Sequence, residues 1–363
     1  GSMVDDVDRD WPVVLVGRDV HAPYEEMAAV QIRAYRKALG IPASRVVSLQ
    51  LNKPVAANTG EIVVASRGRA LSRPLQLARL LRALGRYPRE QGRIVHYVGN
   101  GQRVLNEALA VFAAATRRQF FYSPLGSVYL PRSRRALFVT FLHPSVTRTF
   151  RGEAPGLRAD TLAPFADFRA RGARPSRFEL LFCSVPHKAS EFAKKGLLLL
   201  FDAAKRLERL DPSVRLTVLN RHAGVAGDLS RLAARHELNN TSIVNEVVDD
   251  MRGYMQRFSA LVIPFAEGPN VPVPMSVVEA LGMGIPCVVP SWLPMAEDIA
   301  AEGAGALFTD AATLAGAVLS VRRDYDRCAT ASIRLAERSY SSAAALSKLC
   351  SLYRAALDSN GAR

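Results

Sequence analysis

The sequence predicts an α/β protein made of two doubly wound domains in series. Three observations carry this expectation. The chain has 363 residues, 49% of them hydrophobic, which suits about two domains of roughly 100–200 residues each. Short apolar, strand-like runs alternate with helical patterns along its length, the signature of parallel sheets covered by helices. At Ala170–Ser176 the pattern stops in a stretch of Arg, Gly and Pro and then restarts, as a linker does.

In the first half, strands are expected at Val13–Val16, Arg45–Leu49, Ile62–Ala65, Ile94–Val98, Gln119–Tyr122 and Ala136–Phe141. Helices fill the intervals, among them Glu25–Leu39 and Leu75–Leu84. After the linker come strand Leu180–Ser184, helix Leu197–Arg209, strand Arg215–Leu219, helix Leu229–His236 and strand Ser242–Val244. Helix Met251–Phe258, strand Ala260–Pro264, short helix Val277–Leu281 and strand Pro286–Val289 follow, and helices fill most of Ala311 to Leu357. Ligands of open α/β sheets sit beyond the carboxyl ends of the strands. The useful residues are therefore expected in post-strand loops, around a cleft between the two domains.

Composition narrows the class. Residues 1–176 hold 27 Lys and Arg against 13 Asp and Glu, a balance of +14; residues 177–363 hold 21 against 20, a balance of +1. Such asymmetry points the basic half at something anionic. Leu77, Leu80, Leu81 and Leu84 form one helical stripe, with Arg79, Arg82 and Arg86 mainly on another face. That pattern fits a helix lying on an anionic membrane surface, and equally a domain helix with a solvated basic face. Arg132, Arg134, Arg135, Arg148 and Arg151 continue the basic theme. No signal peptide is visible after Met3, and the longest charge-free run, Ala280–Ala296, is broken by Pro286, Pro290 and Pro294. Neither reads as a spanning helix, which needs about 20 apolar residues. Cys183, Cys287, Cys328 and Cys350 make no CxxC pair and read as free thiols of a reducing compartment, with no zinc site. The expected location is cytoplasmic, with a peripheral contact on the inner membrane face left open.

The informative segment runs from Phe265 to Val289, FAEGPNVPVPMSVVEALGMGIPCVV. It reads strand, long Gly/Pro loop, short helix, glycine stop, strand. A helix starting near Met275 and Ser276 presents backbone N–H groups and a positive dipole end to an anion. Glu279, about one turn inside, is placed to accept hydrogen bonds from a ribose diol. Gly282 and Gly284 end the helix, and Pro286 prevents its continuation.

The run from Glu279 to Val289 resembles the EAxxxGxPVV signature of glycosyltransferase family 4. Lys195-Gly196-Leu197-Leu198, the stretch Asn245–Pro264 and Tyr340-Ser-Ser with the helix through Tyr353 resemble further elements of that family, in order, over residues 177–357. The resemblance implies a GT-B fold: two Rossmann-like doubly wound domains facing an inter-domain cleft. Residues 1–175 would bind the acceptor and residues 176–340 the nucleotide-sugar donor. Residues 341–363 would form a helix packing back toward the N-terminal domain. It implies a hexosyltransferase that moves sugar from a nucleoside-diphosphate sugar, with retention and with no metal or other cofactor.

Residue by residue, Glu279 matches the ribose glutamate and Lys195 the lysine facing the diphosphate. Asn270–Met275, with Val271 inside it and Ser276 beyond, matches the loop that offers N–H groups to phosphate and sugar. Glu267 would stand for the first, catalytic glutamate of the family's pair. Seven residues usually separate that pair, whereas eleven lie between Glu267 and Glu279, and Val271 occupies the usual position. Either the loop carries an insertion or that carboxylate is absent. Where the family keeps a catalytic histidine, the stretch Phe120–Ser127 has none; His21, His96 and His143 are the alternatives. Lys188 with His187, and Arg221 with His222, follow strands on the donor side. Gly17, Arg18, His21 and Gly99 are read as acceptor-side residues. Asp249-Asp250 precedes a helix and reads as an N-cap rather than a metal site. Trp292 and Tyr129 read as packing residues.

The acceptor expected from the basic half is anionic or lipid-linked, as in assembly of cell-surface polysaccharide or glycolipid. Two other readings stand beside this one. A catalytically silent GT-B protein would bind the donor without transfer. A nucleic-acid-binding protein would explain the charge but would not need the loop and helix around Glu279, so no nucleic-acid partner is expected.

Overall fold

A computed structural model describes residues 10–18, 27–50, 62–65, 73–166, 175–266 and 273–358. The chain divides into two compact units, residues 1–165 with 342–363, and residues 166–341.

The first unit is built on seven parallel strands: β1 (Val13–Arg18), β2 (Val46–Gln50), β3 (Ile62–Ala65), β4 (Ile94–Val98), β5 (Gln119–Ser123), β6 (Leu137–Phe141) and β7 (Ala159–Thr161). Their order is β3-β2-β1-β4-β5-β6-β7. β7 has three residues, too few for a sequence pattern to show. Successive side chains of a strand face opposite sides of the sheet. Val14, Val16, Val95, Tyr97, Phe120 and Tyr122 therefore share one face. They pack there with Leu80 and Leu84 of α2 (Arg73–Gly85), Leu105 and Leu109 of α3 (Arg103–Ala115), and Phe150 of α4 (Pro144–Glu153). The leucine stripe of α2 thus turns inward at Leu80 and Leu84, both fully buried, and Arg79, Arg82 and Arg86 face solvent. The other face carries His96 and Phe121, covered by Tyr35 of α1 (Met27–Ala38) and by Tyr353.

The second unit has six parallel strands: β8 (Glu179–Phe182), β9 (Arg215–Asn220), β10 (Thr241–Asn245), β11 (Ala260–Val262), β12 (Cys287–Pro290) and β13 (Gly305–Phe308). Their order is β10-β9-β8-β11-β12-β13, the doubly wound order of a Rossmann-like domain. The helices are α5 (Leu197–Leu210), α6 (Ala226–Arg235), α7 (Met251–Met255), α8 (Met275–Gly282), α9 (Ala296–Glu302), α10 (Ala311–Arg323) and α11 (Tyr325–Ser339). β13 was not expected, because it opens on a glycine, a residue depleted in strands. Gly305 is needed there, since a Cβ would collide with the Cys287 carbonyl of β12. The last helix, α12 (Ser342–Asp358), belongs to the first unit and carries Tyr353.

Trp292, expected to pack, is 40% exposed beyond β12. Tyr129 is half-buried and donates a hydrogen bond to Glu107 Oε1 at 3.1 Å. The four cysteines are free thiols. Among the described residues, no helix is long and apolar enough to cross a membrane, and no three His, Cys, Asp or Glu side chains gather as metal ligands.

Candidate functional site

In the second unit the strand order reverses at β8 and β11, which lie side by side. Such a switch point opens a crevice beyond the carboxyl ends of the two strands. The loops that follow them are tied together. Gly196 starts α5 in the left-handed region at φ 73°, and a Cβ there would collide with the Pro264 carbonyl beyond β11. The Ala266 N–H donates to the Lys194 carbonyl at 3.2 Å. Lys195 is thereby held with Nζ 4.3 Å from the centre of the Phe265 ring, and desolvation lowers its pKa. Lys188 is exposed, at the start of a 3₁₀ turn on the same loop.

Pro274 precedes α8 and offers no side-chain cap; its carbonyl accepts from Val277 N at 3.0 Å. Met275 and Ser276 form the first turn, whose N–H groups lack intrahelical acceptors. On the same helix Val277, Val278, Ala280 and Leu281 are buried. The Glu279 side chain is withdrawn with them, 14% exposed, and Arg252 Nε of α7 donates to its Oε1 at 3.1 Å.

Arg252 was not picked out from the sequence. It lies 27 residues from Glu279 in a helix read only as an element, and no spacing rule connects the two.

Asp250 caps α7 by accepting from Gly253 N at 3.0 Å, so the carboxylate doublet does work at a helix end. At the end of β9, Asn220 is buried and ties β9 to the end of β10: its Nδ2 donates to Asn245 Oδ1 at 2.8 Å, and its Oδ1 accepts from His222 N at 3.0 Å. The rings of His187 and His222 meet edge to face at 6.1 Å. Desolvation, then Arg221 and His187, lowers the pKa of His222. The Cys183 thiol is pushed up to about 12 by burial and by the Glu279 carboxylate, with Arg221 opposing. Glu279 and Arg221 therefore both lie close enough to the end of β8 to act on the Cys183 thiol.

Glu267, Asn270 and Val271 lie outside the described residues, as do His21 and the side chain of Arg18. Gly17 is buried near the end of β1, in register with Val98 of β4. Gly99 directly follows β4 and donates to the Ser123 carbonyl at 3.1 Å. Gly17 and Gly99 thus share the switch point of the first sheet.

His96 does not fit the catalytic role considered for it. It sits in mid-strand, fully buried, with both ring nitrogens engaged: Nδ1 with the Tyr353 hydroxyl at 2.5 Å and Nε2 with Ser123 Oγ at 2.7 Å. Burial lowers its pKa to about 3. His143 caps α4, its Nδ1 accepting from Ser145 N at 3.3 Å.

Residues 179–324 match the family described as glycosyl transferases group 1. No curated protein sequence matches the chain. Solved structures match it over nearly its whole length. The Anabaena protein HepE in complex with UDP and glucose shares 14% identity at a TM-score of 0.69, covering 94% of this chain and 99% of that one. A glycosyltransferase from Rickettsia africae shares 13% identity at 0.71, covering 95% and 98%. Sucrose-phosphate synthase from Thermosynechococcus elongatus shares 13% at 0.68, covering 96% and 100%. The chain therefore has the GT-B fold, and residues 179–324 are the segment over which it matches the glycosyl transferases group 1 family.

Proposed function

We propose that the second unit holds a nucleoside-diphosphate sugar and that the enzyme transfers the sugar to an acceptor bound by the first. The observation that carries this is the gathering of Glu279, Arg252, Lys195 and the start of α8 around β8 and β11, inside the segment that matches the family. A similar protein, HepE, has been solved with UDP and with UDP-glucose.

In this reading Glu279 accepts from the ribose diol. Lys195, Lys188, Arg221 and the N–H groups of Met275 and Ser276 face the diphosphate. Charge grows on the diphosphate as the glycosidic bond breaks, and each preorganised donor aimed at it is worth about 3 kcal/mol. Those donors suffice without a metal. Retention at the anomeric carbon follows from the family resemblance, with Glu267, Asn270 and Val271 on the sugar side.

An anionic or lipid-linked acceptor is supported by the helical layer α2–α4 of the first unit. Arg79, Arg82, Arg86, Arg103, Arg117 and Arg148 are exposed there. None of these side chains has a hydrogen-bond or ion-pair partner among the described residues. Leu75, Val104 and Val111 are exposed on the same layer. Basic and apolar groups side by side suit an anionic lipid surface.

The test is the thermal shift with UDP, GDP, dTDP, ADP and CMP and their sugar conjugates. One nucleotide class should stabilise the protein, and Glu279→Ala should lose the effect. No shift with any of them sinks the donor assignment.

A further inference from the structure

We infer that Arg252 is a positioning residue for the nucleotide: it fixes the Glu279 carboxylate in the orientation that recognises a ribose diol. This rests on the donor reading above. Glu279 lies on a helix whose neighbouring side chains are all buried, and its own side chain is 14% exposed. A carboxylate drawn that far from water needs a charged donor to stay ionised and in place. Arg252 is such a donor, through Nε at 3.1 Å.

The helix that carries Arg252 is a single short turn, and its place is fixed at both ends. Asp250 caps it through Gly253 N, and Met255 is buried at its far end. A Cβ on Gly253 would collide with the Asp250 carboxylate, so the glycine lets the cap close. The ion pair uses the side of the guanidinium rather than its fork. The Nη1 and Nη2 groups make no bond among the described residues. A guanidinium is planar and rigid, so a grip on Nε sets the plane of the whole group. Arg252 is 35% exposed, more than its partner, so it stands on the solvent side of the pair. Arg252 engages Oε1 alone through Nε.

The experiment is calorimetric titration of wild type with UDP, GDP and ADP, then with the 2′,3′-dideoxy counterpart of whichever binds tightest. The same pair is titrated into Arg252→Ala and into Arg252→Met, which keeps the alkyl stem should the alanine variant fold poorly. Wild type should prefer the ribonucleotide at least about tenfold, as hydrogen bonds to a charged group do. Both variants should bind the ribonucleotide and the dideoxynucleotide alike, with dideoxy affinity unchanged from wild type. A variant that merely loosened the fold would weaken both ligands together. A preference that survives in either variant, or a loss shared by both nucleotides, overturns the role of Arg252 alone. Absence of nucleotide binding by wild type overturns the donor reading, and this inference with it.

Discussion

The two units share a strand order and treat their polar groups in opposite ways. In the second unit several arginines are held in ion pairs: Arg252 with Glu279, Arg322 with Asp211, Arg231 with Asp228, and Arg334 and Arg338 with Glu302. Its chemically interesting groups lie beyond the strand ends. In the first unit the polar cluster is inside: His96, Ser123, Thr140 and Tyr353 form a chain of hydrogen bonds through the sheet's interior, while the side chains of Arg79, Arg82, Arg103 and Arg148 on α2–α4 are exposed with no partner among the described residues. A polar side chain in mid-strand is consumed by the fold. One beyond a strand's carboxyl end is left for a ligand.

The hardest test of that contrast is structural. Gly196→Ala should cost about 3–5 kcal/mol, the left-handed penalty plus overpacking, because a Cβ would displace the Pro264 carbonyl and with it the Lys195 loop. Gly303→Ala is the control: its φ is 74° but its Cβ would meet open space, so it should cost about 1–2 kcal/mol. Equal costs in urea unfolding would break the claim that the post-β8 and post-β11 loops are locked together. Next in size is Glu279→Ala. A nucleotide at 100 times its dissociation constant stabilises wild type by about 2.7 kcal/mol, and this variant should lose nearly all of that in a thermal melt.

The contrast also explains what the sequence could show. Alternating apolar runs revealed the strands, and the run from Glu279 to Val289 marked the helix and strand beside the site. β7 and β13 escaped because three residues, or a strand opening on glycine, carry no usable period. Arg252 escaped because an ion pair across 27 residues is a product of tertiary packing. His96 was misread for a similar reason. A histidine at the centre of Ile94–Val98 looks available until Tyr353, 257 residues later, is seen to cover it.

The buried histidine gives the first unit a pH response of its own. Its folded pKa is about 3 against an ordinary 6.5 in the unfolded chain. Between those values the unfolded chain binds a proton that the folded chain refuses. The stabilisation is therefore full above pH 6.5 and is lost as pH falls toward 3. At pH 4.5 the loss should be about 2–3 kcal/mol relative to pH 7. His96→Gln cannot titrate and should lack that increment, while the carboxylates it shares with wild type contribute equally to both. Urea unfolding of the two proteins at pH 7 and 4.5 checks this. The same pH dependence in both would mean that His96 already exchanges its proton with solvent.

The smallest effect expected per residue concerns the unpaired arginines. A cation near an anionic bilayer is worth about 1 kcal/mol, and less as salt screens it. Arg79→Gln alone should therefore weaken binding to vesicles containing phosphatidylglycerol by about fivefold. Arg79→Gln, Arg82→Gln and Arg86→Gln together should weaken it by about a hundredfold. Exchanging cations of the second unit that already have one-to-one partners, such as Arg231 with Asp228 and Arg322 with Asp211, should change little, because each charge is already balanced locally. Flotation at two salt concentrations separates the outcomes. Equal losses from the two sets would mean that net charge alone draws the protein to the surface. A loss confined to α2 would show that the first unit's unpaired layer is the docking face. Leu75, Val104 and Val111 add an apolar contribution that salt does not screen, so the binding left in the triple variant should be less sensitive to salt than that of wild type, with Arg103, Arg117 and Arg148 keeping the remaining sensitivity.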